Sequence, residues 1–377
     1  MTDRLRLVHV IPNLGTGGAE RMLLNLLCAL DPRRVDASVL SLYPAAGSII
    51  ESELHRGGVR SYYLSKRPGP DPSCAIAVWR TLRELRPDVV HTHRFALSYV
   101  LPSLVKREIA CVHTVHNIAR QEVPALHRVA YRFAFRLGVA PVAISAEVAR
   151  SFELLYRRPP AALIPIGIPL AAMASPSMDR RAWRASEGVP DDAVVFVCVA
   201  RFAPQKNLHL LIDAFARTTV ALPTAILLLA GDGPLLTSVQ NQAGALGIRD
   251  RVRFLGERRD MPSLLGASDV FVLSSDWEGT PVSIMEAMAA GLPVAATAVG
   301  GVPELVRSGT TGRLARPKDA RSLGDAMLEL GSDATLRRAM GLAASRLASE
   351  ALDVRVMASA YENLYCRLSG RAIDRQT

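Results

Sequence analysis

Three kinds of feature are scarce in this 377-residue chain, and each scarcity removes a class of protein. No apolar run approaches the roughly 18 to 20 residues that cross a bilayer, since even the stretch 225–230 is closed off by Pro223 and Gly231. A membrane-spanning chain is not expected. Cysteine occurs only at positions 28, 74, 111, 198 and 366. An odd, scattered set without a Cys-x-x-Cys pair suggests neither a disulfide framework nor a zinc site, so these read as reduced residues, mostly of the core. Aromatic residues make up only 5%, against 49% hydrophobic and 21% charged. That balance describes globular, aliphatic, Ala-rich cores rather than a disordered or fibrous chain. At the N-terminus, Arg4 and Arg6 lead straight into Leu7-Val8-His9-Val10-Ile11, without the longer apolar segment and cleavage site of a signal peptide. A cytoplasmic location is expected.

What is present is enough chain for two domains of roughly 180 residues each, and two domains imply a cleft. The net charge of +10 is uneven: residues 1–180 carry 23 Lys and Arg against 14 Asp and Glu, and the remainder 22 against 21. A basic first half suits nucleic acid, an anionic membrane surface or a phosphorylated acceptor, although an Arg-rich composition alone produces the same excess.

Apolar runs of four to eight residues alternate with longer segments of helical period, the pattern of βαβ units and a parallel sheet. Strands are expected near 5–11, 36–42, 59–64, 88–92, 109–115, 139–144 and 161–166. A second set is expected near 193–199, 225–230, 252–255, 270–273, 293–297 and 312–314. Between them, residues 166–180, with Pro169 and Pro176 among Gly, Ala and Ser, have the composition of a linker. The expected division is therefore 1–170, 171–353, and a last helical segment, 354–377, packing back on the first domain. Its Tyr361 and Tyr365 lie one turn apart. Ligands of open parallel sheets bind beyond the carboxyl ends of the strands.

Five constellations occupy such ends. The first, Glu278-Gly279-Thr280-Pro281-Val282-Ser283-Ile284-Met285-Glu286, follows an apolar run and precedes a helical stretch ended by Gly291 and Pro293. Thr280 suits an N-cap and Pro281 a first helical residue, leaving Glu278 in the loop and Glu286 in the helix. A helix N-terminus suits a diphosphate and carboxylates suit sugar hydroxyls, while an isolated Glu pair is more often solvated. The second, Arg201-Phe202-Ala203-Pro204-Gln205-Lys206-Asn207, holds two cations able to neutralise a leaving diphosphate without a metal. The third, Gly231-Asp232-Gly233-Pro234, reads equally well as a plain turn. The fourth, Gly15-Thr16-Gly17-Gly18-Ala19-Glu20, has Glu20 where the dinucleotide fingerprint has its third glycine, and lacks the Lys-Ser/Thr of a P-loop. The fifth is histidine, His91-Thr92-His93 and His113-Thr114-Val115-His116. Four histidines at neighbouring strand ends raise the question of a metal, but no carboxylate or Cys is interleaved, so none is expected and His116 is the candidate for substrate contact.

Taken together these residues resemble the retaining glycosyltransferases of family 4, which have the GT-B fold of two doubly wound Rossmann-like domains facing across a cleft. The resemblance covers nearly the whole chain. Glu278 and Glu286 match the family's E-x7-E motif, with Glu286-Ala287-Met288-Ala289-Ala290-Gly291-Leu292-Pro293-Val294 following as the family has it. The resemblance implies that Glu278 contacts the donor sugar, Glu286 the ribose, and Arg201 and Lys206 the diphosphate. It further implies that Gly17 and Gly18 close over the phosphates, that His116 bonds the transferred sugar near the reacting carbon, and that Gly231, Leu255, Gly279, Thr280, Pro281 and Val282 add donor contacts. Gly300-Gly301-Val302-Pro303-Glu304 also matches. One departure stands out: where the family commonly has Ile-Pro-Asn-Gly-Ile-Asp, this chain has Ile164-Pro165-Ile166-Gly167-Ile168-Pro169.

The expected chemistry is transfer of a sugar from a nucleoside-diphosphate sugar to a saccharide or lipid-linked acceptor, with retention, no cofactor and no metal, in surface polysaccharide or glycolipid assembly. In the first domain, residues 126–136 place Arg128, Arg132 and Arg136 at i, i+4, i+8 beside Val129, Phe133 and Phe135. This basic amphipathic helix suits either an anionic membrane surface, making the protein peripheral on the inner face of the cell membrane, or a solvated face over a core. Rival readings are a sugar-phosphate synthase, a nucleotide-sugar epimerase, and a basic nucleic-acid-binding module, the last without a recognised motif.

Overall fold

Strands that are apolar on both faces need helices on both faces, and the structure, a computed structural model, resolves the pattern in that way. It describes residues 4–104, 109–122 and 124–371, so the last six residues of the expected C-terminal segment lie outside the described residues. The chain divides into two units, Met1–Gly167 with Val354–Thr377, and Ile168–Asp353. The first is built on seven parallel strands: β1 (Leu5–Ile11), β2 (Val35–Ser41), β3 (Arg60–Tyr63), β4 (Val89–His93), β5 (Ala110–Val115), β6 (Ala140–Ala143) and β7 (Ala162–Leu163), in the order β3-β2-β1-β4-β5-β6-β7. The second has six: β8 (Val195–Val199), β9 (Ile226–Ala230), β10 (Val252–Gly256), β11 (Val270–Leu273), β12 (Val294–Thr297) and β13 (Gly312–Ala315), in the order β10-β9-β8-β11-β12-β13. Strand order reverses beside β1 in the first sheet and beside β8 in the second. At such a point the flanking crossovers leave in opposite directions and open a crevice at the carboxyl ends of the strands.

Local chemistry starts the helices. Asp71, Ser145, Asp179, Asn207, Asp319 and Asp333 each accept a backbone N–H two or three residues on, and Ser48 with Glu51 forms a reciprocal capping box. Most strands lie within two residues of their expected limits. Strand β7 is shorter than the expected 161–166, because Pro159, Pro160 and Pro165 bracket it and proline cannot donate to a ladder.

Two expectations need correction. The segment 166–180 is not a plain linker: it contains a helical turn, Leu170–Met173, and its first residues are core. Ile164, Ile166 and Ile168 are 4%, 3% and 0% exposed, and Ile168 N–H donates to the Leu352 carbonyl at 2.8 Å. An apolar side chain at 166, where the resemblance would have asparagine, fits that burial. In the helix Ala125–Arg136, Phe135 does not share an exposed stripe with the arginines; it is 2% exposed and packs edge-on against Phe152, Tyr131 and Tyr156. One turn of helix carries it round to the sheet side with Tyr131 and Ala134, leaving Val129, Phe133 and Leu137 outward.

The helix Val354–Ser369 belongs to the first unit and packs against the helix Gly18–Ala29. Tyr361 and Tyr365 are both 0% exposed, their hydroxyls bonded to Thr114 Oγ1 at 2.8 Å and His91 Nδ1 at 2.7 Å. Buried tyrosines need partners for their hydroxyls, and these two find them on β4 and β5.

In the second unit, the amino ends of β8 and β11 are tied by a buried cation. Arg184, 1% exposed, donates to the carbonyls of Ala267, Asp191 and Ala193 at 2.9 to 3.0 Å and to Asp269 Oδ2 at 2.8 Å. Asp269 Oδ2 in turn accepts the Val195 N–H at 2.8 Å. Replacing Arg184 by Ala leaves three carbonyls and part of a carboxylate unpaired in the interior, so Arg184→Ala is expected to cost about 3 kcal/mol. Denaturant unfolding followed by fluorescence of the neighbouring Trp183 checks this; a loss below about 1 kcal/mol would show that the network is dispensable.

Candidate functional site

At the reversal point of the second sheet, the loops after β8 and β11 meet. The loop after β8 enters a 3-10 turn, Pro204–Lys206, and Asn207 adopts a left-handed conformation (φ 42°) from which its side chain caps the helix Leu208–Ala221. This geometry turns Lys206 toward β11, where its Nζ lies 2.5 Å from Glu278 Oε1. Glu278 is only 4% exposed. Its carboxylate also accepts from Ser275 Oγ at 2.6 Å and Gln205 Nε2 at 3.3 Å, so it is held by the protein rather than solvated. Backbone and side-chain bonds stitch the same loops together: Asp276 N–H to the Gln205 carbonyl, Asn207 Nδ2 to Asp276 Oδ1, both 2.9 Å, and Ser274 Oγ to the Lys206 carbonyl at 2.8 Å.

Two further loops press against these two so closely that only glycine fits. A Cβ at Gly231 would overlap the Ala200 carbonyl oxygen, and one at Gly300, where φ is +51°, would overlap that of Glu278. Gly279 accepts from Gly301 N–H at 2.9 Å. Thr280 does not cap the next helix. Pro281 is the N-cap (φ −74°, ψ 111°), its carbonyl accepting from Ile284 at 3.1 Å, and the helix is Val282–Ala289. Proline's fixed φ suits an extended cap as well as a first helical residue, and the Thr280 hydroxyl is left buried without a partner. Glu286 is half-buried one turn into that helix, Arg201 is exposed at the end of β8, and Leu255 is half-buried at the irregular end of β10. Arg201, Lys206, Gly231, Leu255, Glu278, Gly279, Thr280, Pro281, Val282 and Glu286 thus all lie at the carboxyl edge of the second sheet. The arrangement offers a helix N-terminus, two cations and a fixed carboxylate.

Gly17, Gly18 and His116 belong to the first unit, at the equivalent edge. Gly17 is the extended N-cap (φ −160°) of the helix Gly18–Ala29. Space around Gly18 is open, whereas a Cβ at Gly17 would overlap the carboxylate of Glu20. Glu20 is 3% exposed and pairs with Arg94 at 3.2 Å. Arg94 follows β4 with φ +51°, a conformation that costs a non-glycine residue energy. Behind them runs a row of imidazoles: His9 Nδ1 to His93 Nε2 and His93 Nδ1 to His116 Nε2, both 2.9 Å. Burial drives His9 and His116 down to about 3 and holds His93 and His91 well below the usual histidine value, so all four are neutral at pH 7.

The four histidines singled out by spacing do not converge. His113 faces the opposite side of the sheet, bonded to Thr92 Oγ1 at 2.9 Å and edge-on to Tyr131. In its place comes His9, whose partner in the β1–β4 register is His91. A histidine flanked by Leu7, Val8, Val10 and Ile11 in the first strand was the available signal. Ring nitrogens of His9, His91 and His93 lie within 4.8 Å of one another, the one trio with metal-ligand spacing among the described residues. Both nitrogens of His91 are engaged, by Tyr365 and Thr114 at 2.7 Å, and within the trio only His9 and His93 are bonded to each other. Glu122, not singled out either, lies beside this group; burial pushes its carboxyl up to about 7 against the pull of Arg94.

Comparison with known proteins agrees over both units. Residues 16–172 match the family model described as Glycosyltransferase Family 4, and residues 179–346 that described as Glycosyl transferases group 1. The chain is 29% identical over 280 residues to the UDP-Gal:alpha-D-GlcNAc-diphosphoundecaprenol alpha-1,3-galactosyltransferase of Escherichia coli, covering 71% of this chain and 72% of that protein. It is 33% identical over 178 residues to the N-acetyl-alpha-D-glucosaminyl L-malate synthase of Bacillus anthracis, a match spanning about half of each, 47% and 46%. Among solved structures, Anabaena HepE in complex with UDP and glucose superposes with a TM-score of 0.86 at 24% identity, over 97% of this chain and 100% of that one, which establishes a shared fold.

The buried histidines make stability depend on pH. Each has a folded value below its ordinary 6.5, so below that pH the unfolded chain takes up protons that the native chain refuses. Their contribution is complete above about pH 7 and is lost as pH falls toward the folded values. Glu122 works in the opposite sense, keeping a proton between its ordinary 4.5 and about 7, but it is one group against five. With each group worth up to about 1.4 kcal/mol per pH unit, stability should fall by several kcal/mol from pH 7 to 5. Denaturant midpoints across that range test this, and a flat profile would refute neutral burial.

Proposed function

Because the chain belongs to the family 4 glycosyltransferases of GT-B fold, we propose that it transfers a sugar, with retention, from a nucleoside-diphosphate sugar bound by the second unit to a saccharide or lipid-linked acceptor. The observation that carries this reading is the Lys206–Glu278 pair, 2.5 Å apart where the strand order reverses and next to a helix N-terminus. Lys206 spends one of its three N–H bonds on Glu278, leaving two for phosphate oxygens. Arg201, exposed and without a side-chain partner among the described residues, supplies a second cation. Glu278 accepts from sugar hydroxyls, Glu286 from the ribose, and the buried, unpartnered Thr280 hydroxyl is a further group for the donor to satisfy.

In this reaction the bond from anomeric carbon to diphosphate oxygen breaks, and the acceptor oxygen bonds to the same face of that carbon. The acceptor proton passes to the departing phosphate oxygen. Lys206 and Arg201 stabilise the charge that develops there, so the reading needs no metal. His116 donates to the transferred sugar near the reacting carbon, and Gly17 and Gly18 approach the phosphates.

For the acceptor, the surface of the helix Ala125–Arg136 favours a substrate embedded in an anionic membrane. Val129, Phe133 and Leu137 are 65%, 51% and 45% exposed beside Arg128, Arg132 and Arg136. Apolar side chains that enter the interface next to arginines that meet lipid phosphates are the composition of a peripheral helix. The curated relatives are in keeping with this, since the Escherichia coli enzyme is named for a diphosphoundecaprenol-linked acceptor.

Incubation with UDP-, GDP- and ADP-sugars should show nucleotide release with one of them, and the product's anomeric coupling should match the donor's. Glu278→Ala and Lys206→Ala are expected to lower transfer by roughly 100-fold or more without unfolding the protein. Full activity in either variant, or an inverted product, would overturn the assignment. An altered sugar formed from donor alone would indicate an epimerase instead. Sedimentation with anionic vesicles should exceed that with neutral ones and fall in Phe133→Glu; equal sedimentation with both removes the membrane reading.

A further inference from the structure

The row formed by the buried His9 and His93 and the half-buried His116 has a direction. A neutral imidazole has one N–H and one lone pair, so two hydrogen bonds in series must run in one direction. At 2.9 Å each, neither contact can hold two protons or two lone pairs face to face. Donation runs either inward, from His116 to His9, or outward, from His9 to His116. His9 Nε2, at the inner end, is buried with no partner. Inward donation would place an orphan N–H there, whereas outward donation leaves only an unused lone pair. Buried donors are orphaned more rarely than acceptors are left under-satisfied.

We propose that His93 is the positioning residue of His116, and that the row donates outward, fixing His116 with its proton on Nδ1. His116 then accepts from His93 at Nε2 and presents a neutral N–H at Nδ1, the nitrogen without a partner among the described residues.

The surroundings hold this arrangement. The His91 ring lies tilted 4.6 Å from that of His9 and 4.3 Å from that of His93, and its own nitrogens are taken by Tyr365 and Thr114, so it cannot interrupt the row. Thr114 is bonded in turn to Tyr361, so the C-terminal helix completes the support of the row. Burial and the nearby Arg94 disfavour a cationic His116. A neutral donor of fixed direction suits a sugar hydroxyl oxygen beside a carbon that develops positive charge, where an imidazolium would be repelled. That last step rests on the sugar contact proposed above; the direction of the row does not.

The test is a two-bond 15N–1H correlation spectrum of the whole chain labelled at histidine, at pH 7.5, with His116 assigned from the spectrum of His116→Gln. The expected result is a protonated Nδ1 and an unprotonated Nε2 on His116. Protonation at Nε2 in the unaltered protein overturns the proposal and needs no variant to do so. In His93→Phe the proton should move to Nε2 or exchange between the two nitrogens, with kcat lowered about tenfold and donor KM within about twofold. His93→Gln, whose amide can donate to His116 while its carbonyl accepts from His9, should retain the Nδ1 proton and most of kcat. A folded His93→Phe that keeps both tautomer and kcat overturns the proposal. Activity retained in His116→Ala would instead sink the sugar contact, while the tautomer measurement would still decide the row.

Discussion

The reversal of strand order beside β8 is the constraint on which the rest of the second unit depends. Right-handed crossovers carry the chain outward on one side through β9 and β10, and on the other through β11, β12 and β13. The loops after β8 and β11 therefore leave in opposite directions while their strands stay hydrogen-bonded neighbours. Lys206 and Glu278, 72 residues apart in sequence, are brought to 2.5 Å by this adjacency together with the turn at 204–207. The requirement for glycine at 231 and 300 follows from it too, because loops from the neighbouring strands β9 and β12 converge on the same place.

The two units solve the problem of polar groups at a strand edge in opposite ways. In the second, a buried acidic side chain is met by donors: a lysine, a serine and a glutamine all bond to the Glu278 carboxylate. In the first, charge is removed. Four buried histidines and the half-buried His116 are held neutral, and most of their ring nitrogens are satisfied by one another or by hydroxyls of threonine and tyrosine. A diphosphate has to be met by charge, whereas a sugar hydroxyl is met well by a neutral donor. The contrast is what a glycosyl transfer asks of its two kinds of contact.

Much of this was legible in the chain. Alternation of short apolar runs with helical segments determined two parallel sheets, because strands covered on both faces must be apolar throughout. The loop residues Arg201, Lys206 and Glu278, with Glu286 in the helix that follows, could be read as a site because their loops follow strands and their spacing matches a family pattern. Local rules reached the helix start at Pro281 to within one residue; which of Thr280 and Pro281 caps it depends on the press of the glycine loops, and that is not local.

Other features were decided only in three dimensions. Glu278 read in isolation as a solvated carboxylate, and its burial depends on Lys206 arriving from another strand. His113 and His116 share a sequence cluster, yet the twofold alternation of a strand and the turn after it send them to different places, while His9 joins His93 through the pairing of β1 with β4. Phe135 left the expected surface stripe because Phe152 and Tyr156 offered it a core. The chain by itself determined which elements form and which strand ends carry chemistry, since periodicity and turn residues are properties of neighbours in sequence. The tertiary structure decided which side chains are charged, which are neutral and which touch, since desolvation and hydrogen bonding depend on neighbours in space.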